Sequence, residues 1–325
     1  MCQRTGRRVD TVGVIRIYLF YMDIKKYLIQ MSIFVQIASY RDSELLPTLR
    51  DCVATAEFPD QLTFGICWQR EEHESLAEFM ADPRCKVMSV PYQESKGLGW
   101  ARNQIQQLYA GETYTLQLDS HMRFVPQWDT LLRKMIKKLQ KKGHPKPLLT
   151  TYPPSYNPDR DPQERVHCPM KMVLDKVNWE TRLPTVVPTF LSEKEQRSLQ
   201  PSKFIAGGFS FTLGQFALEV QNAPEIYFSY DEIHNAIRAY THGYDFFHPN
   251  CVIVWHYYTR KDKPKIWNDK TELDEYTTSY FNTFLHHCIH NLPIESYGLG
   301  TERTFQEYER YCGIDFELKK INTPY

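Results

Sequence analysis

Between Ser32 and Thr151, short apolar runs rich in β-branched and aromatic residues alternate with longer stretches of helical period, and this alternation restricts the fold most. Ile33 to Ala38, Leu62 to Trp68, Val87 to Val90, Tyr114 to Leu118 and Leu148 to Thr151 read as strands. Leu45 to Ala56, Glu71 to Met80, Gly97 to Ala110 and Gln127 to Lys142 read as helices, the last ending before Gly143. Strands separated by helical crossovers return parallel, so the pattern predicts an α/β fold, a mostly parallel central sheet flanked by helices. Such sheets bind ligands beyond the carboxyl ends of their strands. The segments to follow are therefore Ala38–Asp42, Trp68–Arg70, Pro91–Lys96 and Asp119–His121.

The last of these carries the clearest chemistry. Tyr114 to Leu118 runs into Asp119-Ser120-His121 and then a helix. In extended backbone, residues two apart point the same way, so Asp119 and His121 face one point in space. A carboxylate with an imidazole suits manganese or a similar divalent ion. The plain alternative is that Asp119 caps the next segment and His121 is a surface histidine. Gly97-Leu98-Gly99 does not extend to a dinucleotide fingerprint, because the third glycine position is Arg102. The Arg102 guanidinium suits either a bidentate anion contact or a structural ion pair.

Downstream, Tyr152 to Ser202 is proline-rich and weakly periodic, an excursion that reads as an acceptor-facing insertion or as surface decoration. Gly207-Gly208 precede the alternating end of the Phe204–Leu213 stretch and permit a close backbone approach or a bulge. Phe228 to Asp245 is helical, with Gly243 as its C-terminal glycine. Asp231-Glu232 open that helix, where one carboxylate serves the dipole and the other is left for a substrate hydroxyl. Cys251 to His256 reads as a strand ending in histidine, followed by the aromatic and basic run Tyr257 to Lys261. That order suits a third metal ligand and then a lid over a diphosphate; a buried histidine bonded to backbone is the alternative. Lys270 to Tyr325 looks helical and peripheral, and His286, His287 and His290 lack the H-E-x-x-H pattern.

Composition matters through what it excludes. Lysine plus arginine and aspartate plus glutamate both number 39, which gives no ground for a nucleic-acid partner. The eight cysteines contain no C-x-x-C pair, which fits reduced thiols in a cytoplasm. Val12 to Met22 is too short, and too interrupted by Arg16, to form a transmembrane segment. Residues 1–31 are expected to be an appendage, 32–260 a catalytic domain containing the 152–202 insertion, and 261–325 a lid segment with a helical C-terminal extension.

Seven motifs occur in order: ASYRD, KGLGWARN, LDSHMRF, AGGFSF, DEIHNAIRAYTHGYD, VWH and YGLGTERTFQEYERYCGID. Together they resemble the GT-A glycosyltransferases that add N-acetylglucosamine to hydroxyproline, best known on the adaptor subunit of SCF ubiquitin ligases. They are more distantly similar to the polypeptide N-acetylgalactosaminyltransferases. The resemblance covers Ser32 to Asp315 and implies a GT-A nucleotide-sugar-binding fold. It implies metal ligation by Asp119, His121 and His256, using Mn2+ or another divalent ion such as Mg2+. It implies donor contacts from Ser39, Arg41, Arg102, Asn103, Asp119, Gly207, Gly208 and Arg260. Asp231 and Glu232 would match an acidic pair, usually Glu-Glu, that touches sugar hydroxyls; aspartate at the first position is a departure. The implied reaction is a retaining transfer from UDP-GlcNAc to a polypeptide or other hydroxyl acceptor. A donor-binding module that no longer transfers, and a metal-dependent hydrolase, are the competing readings.

Overall fold

The structure, a computed structural model, describes residues 31–260, 263–269 and 273–322. Four parallel strands come first in the chain: β1 (Ile33–Tyr40), β2 (Leu62–Arg70), β3 (Cys85–Pro91) and β4 (Tyr114–Asp119), side by side in the order β3-β2-β1-β4. All of Ile33–Ile37 is buried, as a strand covered on both faces requires. One face carries α1 (Leu45–Thr55) and α3 (Trp128–Lys141), whose Leu49, Cys52, Leu132 and Ile136 join Val35 and Leu116 in the first core. On the other face α2 (Leu98–Gln106) packs Ala101 and Ile105 against Phe34 and Cys67.

Beyond β4 the sheet turns mixed. The expected Phe204–Leu213 strand is Phe209–Leu213 (β10), antiparallel to both β4 and β6 (Pro147–Thr150). β11 (Asp245–His248) runs parallel to β6, and the two-residue β9 (Gln200–Pro201) closes the edge. A second core lies between this half and three helices: α4 (Asp231–Thr241), α5 (Leu273–Ile289) and α6 (Phe305–Cys312). α6 begins with a Thr304–Glu307 capping box and ends at the left-handed Gly313.

Three expectations need correction. The helix expected at Glu71–Met80 is a single turn, Ala77–Met80, because Glu71 to Glu74 form a turn in which Arg41 takes the Glu71 carboxylate. His121 does not lead directly into a helix, since Met122–Phe124 (β5) intervenes and pairs antiparallel with Val254–His256 (β12). The proline-rich excursion contains a hairpin, β7 (Met170–Asn178) with β8 (Leu183–Phe190). Each strand of that pair has an unpaired side, where Pro184 and Pro188 need no amide donor. Met172, Leu174 and Val177 bury the ribbon against the second core. Residues 1–30 and Lys261 lie outside the described residues. No helix among the described residues is long and apolar enough to cross a membrane.

Candidate metal and donor site

β4 delivers Asp119 at its carboxyl end, and a bend at Ser120 and His121 brings the imidazole to the same point. The β5–β12 pairing then sets His256 opposite Met122, one residue past His121. His121 Nε2 and His256 Nε2 are 3.0 Å apart, and Asp119 Oδ2 lies 3.1 Å from the second and 4.0 Å from the first. These three are the residues among those described whose ligand atoms could hold a metal ion together, all within 4.8 Å of one another.

The protonation of the cluster follows from its neighbours. Asp42 Oδ2 lies 2.8 Å from His121 Nδ1 and accepts from Ser120 Oγ and Arg260 Nη2 at 2.6 and 3.1 Å. Burial raises the Asp42 pKa, but the His121 hydrogen bond and the nearby positive charges outweigh it, and the carboxyl is held below its ordinary value. An ionised carboxylate only accepts, so His121 donates Nδ1–H to Asp42 and turns Nε2 toward the cluster. Asp119 is likewise driven up by burial but held well below the carboxylate range by His256, His121 and Arg102. Burial depresses the His256 pKa, which keeps that imidazole neutral. One carboxylate oxygen and two imidazole nitrogens therefore converge, with a carboxylate orienting one ring from behind, as metal-binding histidines require.

Beside the cluster lies a cleft of about 290 Å³ lined by Tyr40, Gln69, Asp119, His121, His256, Tyr258 and Arg260. Residues 263–269 run across it. They are fixed by Tyr40 Oη and Arg41 Nη1 on Asp269 (2.6 and 3.0 Å) and by Tyr227 Oη on the Ile266 carbonyl (2.9 Å). The Trp267 ring stands 4.5 Å from Phe228.

On the far side of Asp119 sits a second polar cluster. Arg102, 2 % exposed, donates to Asp231 Oδ2, to the Gly207 carbonyl at 2.8 Å and to Asp119 Oδ1 at 3.4 Å. Glu232 accepts from Gly207 N–H at 2.7 Å and from the Tyr152 hydroxyl. Burial, reinforced by the Asp231 charge, pushes its carboxyl up to about 7. The paired glycines make room for these groups. A Cβ on Gly207 would come within 2.7 Å of Asp231 Oδ2, and one on Gly208 within 2.6 Å of Asp119 Oδ2.

The expected site residues thus separate. Asp119, His121, His256 and Arg260 line the cleft. Arg102, Gly207, Gly208, Asp231 and Glu232 form the adjoining cluster. Neither Asp231 nor Glu232 makes a side-chain cap on α4, because both are occupied elsewhere. The Ser39 hydroxyl is sealed at the end of β1 without a hydrogen-bond partner among the described residues. Arg41 turns to the rim, onto Glu71, Asp269 and the Tyr92 ring. Asn103 points away, its amide on the Asn222 carbonyl and Tyr297 Oη. Sequence reasoning passed over Asp42, Tyr258 and Gln69. The ASYRD turn flagged the segment holding Asp42, and the rule of strand ends contained the residue without selecting it.

The family model described as Glycosyltransferase (GlcNAc) matches residues 32–82 and 75–318, most of the chain. The chain belongs to this glycosyltransferase family. No curated protein matches it. Among solved structures, GalNAc-T7 is 16% identical with a TM-score of 0.54, the match covering 86% of this chain and 54% of that one. The 1–349 portion of S. aureus TarS is 12% identical with a TM-score of 0.50, over 87% of this chain and 70% of that one. At these identities the likeness is one of fold, and the glycosyltransferase spans about half of GalNAc-T7. In all three, the α/β core is shared; the chemistry of this chain rests on its own residues.

Proposed function

We propose that this glycosyltransferase moves N-acetylglucosamine from UDP-GlcNAc to a hydroxyl acceptor, with hydroxyproline-containing polypeptide as the first class to try. We further propose that the transfer retains anomeric configuration and takes place in the cytoplasm. The observation that carries the reading is the convergence of Asp119, His121 and His256 on one point at the mouth of the cleft. The solved GalNAc-T7 holds UDP, GalNAc and Mn2+, and a solved TarS 1–349 holds UDP, which supports a nucleotide-sugar donor here.

In this reading Asp119, His121 and His256 hold a divalent ion, Mn2+ or Mg2+, which neutralises charge on the departing diphosphate. Arg260 sits 3.4 Å from His121 Nε2 and adds positive charge on the same side. Tyr40, Phe228 and Trp267 form an apolar wall that excludes water from the donor. Gly207 and Gly208 bring backbone beside Asp119, and Glu232 exchanges the Tyr152 hydroxyl for a sugar hydroxyl. The acceptor approaches past the 152–202 excursion, which touches the site where Ser155 bridges His256 and Tyr258 Oη donates to the Pro153 carbonyl.

A second reading, a donor-binding module without transfer, is favoured by the closure of Asp231 on Arg102. UDP release separates the two when measured over a panel of UDP-sugars, with Mn2+ or EDTA, with and without hydroxyproline peptide. Metal-dependent release from UDP-GlcNAc that rises with peptide is the expected result. UDP binding without release from any donor would move the assignment to the second reading.

A further inference from the structure

Three arginines are buried among the described residues, and they are not satisfied alike. Arg102 is held by Asp231 and Asp119. Arg133 is held by Asp129 and by Gln61 Oε1 at 2.6 Å. Arg238, 3 % exposed on the last turn of α4, meets no carboxylate among the described residues: Nε donates to the Gly298 carbonyl at 3.1 Å, Nη1 donates to the Gln221 carbonyl, and the guanidinium lies 5.7 Å from the Tyr297 ring centre. A buried charge is normally paired with a counter-charge, since carbonyl dipoles alone repay little of its lost hydration. Burial draws the Arg238 guanidinium down to about 10, with only the Tyr280 and Tyr297 hydroxyls acting against it.

The third nitrogen decides the matter. Nη2 donates to no group among the described residues, and it is not one of the unpartnered atoms sealed from solvent. Arg238 lines a groove of about 510 Å³ together with Gln221, His242, Ser296, Tyr297 and Leu299. The acid of that groove, Glu219, is taken by Lys146 Nζ at 3.1 Å and by the Tyr244 hydroxyl at 2.7 Å. Lys146 also reaches the His242 carbonyl at 3.0 Å, which adds a second cation to this side of the fold.

We propose that this groove is a binding site for a small oxyanion, a phosphate or a carboxylate, seated on Arg238 Nη2. The anion supplies the counter-charge that the chain itself withholds, and a charge-assisted hydrogen bond in a half-enclosed groove is among the stronger polar contacts available. The site stands apart from the cleft and does not depend on the transferase reading. The groove is built partly from Tyr297 to Leu299, which belong to the YGLG segment at the start of the last sequence motif.

The test is thermal unfolding of the full chain titrated with sodium phosphate and, separately, sodium acetate, with chloride holding ionic strength constant. A ligand that binds only the folded state raises Tm saturably. Wild type and Arg260→Ala, which cripples anion contacts in the other cleft, should respond alike. Arg238→Met, and Ser296→Glu at an exposed position on the groove, should need at least about tenfold more anion for the same shift. Should Arg238→Met fail to fold, Ser296→Glu decides. A response to phosphate alone assigns a phosphoryl ligand, and one to acetate at similar concentration a carboxylate. No saturable response, an unchanged response in Ser296→Glu, or a response lost only in Arg260→Ala overturns the proposal.

Discussion

Two polar clusters share the Asp119 carboxylate, and they are balanced in opposite ways. In the Arg102–Asp231–Glu232 cluster, the carboxylates meet protein donors: the guanidinium, the Gly207 amide and the Tyr152 hydroxyl. In the Asp119–His121–His256 cluster, three possible ligand atoms crowd within 4.8 Å of one another, the two imidazole nitrogens only 3.0 Å apart and one ring held from behind by Asp42. A set of buried donors and acceptors bonded mainly to one another, with Arg102 Nε left over among the described residues, is scaffold. A carboxylate oxygen and two imidazole nitrogens converging on one point form a ligand set for a cation. The comparison therefore divides an acidic, histidine-rich region into a part that holds the backbone in place, with Glu232 alone offered to a sugar in the proposed reaction, and a part shaped for a cation.

The largest expected effect breaks the scaffold side. Arg102→Met strands Asp231 beside Asp119, and urea unfolding should show a loss of about 3–5 kcal/mol. A loss under 1 kcal/mol would mean the pair is solvated and the contrast between the clusters is false. On the other side, His256→Ala should leave the urea midpoint nearly unchanged while UDP-GlcNAc turnover falls by about 10²–10³-fold. Turnover that survives with Mn2+ supplied would remove His256 from the metal set.

Asp42→Asn sharpens the contrast further, because it keeps the shape and removes the charge that fixes the His121 tautomer. Mn2+ affinity should weaken by about 10–100-fold with the fold intact; calorimetric titration reads it directly. The smallest effect concerns Glu232, whose pKa in the folded chain, about 7, lies above its ordinary value of 4.5. The stability tied to its protonated form is complete below about pH 4.5 and is lost as pH rises through about 7. Glu232→Gln, neutral throughout, should flatten that part of the stability–pH curve. An unaltered curve would show that Glu232 is not the titrating group.

What the sequence made legible was local. The period of the apolar residues located β1, β2 and β4 within a residue or two, and Asp119-x-His121 put two ligand types within three residues, although a bend and not extended backbone turns them together. What it hid was long-range or paired. Asp42 lies 79 positions from His121, and nothing local says that a carboxylate in the first turn orients that imidazole. Cys251–His256 looked like a sheet strand, yet only Val254–His256 is one, and it pairs with the three-residue β5, a partner too short to show any period. The prolines of 152–202 read as loop, since the sequence does not say which strands have an unpaired side. Arg41, which the resemblance implies as a donor contact, pairs with Glu71 and Asp269, neither of which is near it in sequence.

The central claim is that Asp119, His121 and His256 form one cation site. Its most direct measurement is a Mn2+ titration of the full chain followed by the EPR signal of the unbound ion, with wild type and His256→Ala side by side. The account predicts one equivalent of Mn2+ withdrawn from the signal by wild type and at least about tenfold weaker uptake by the variant. Equal uptake by both proteins, or none by wild type even with UDP present, would contradict it.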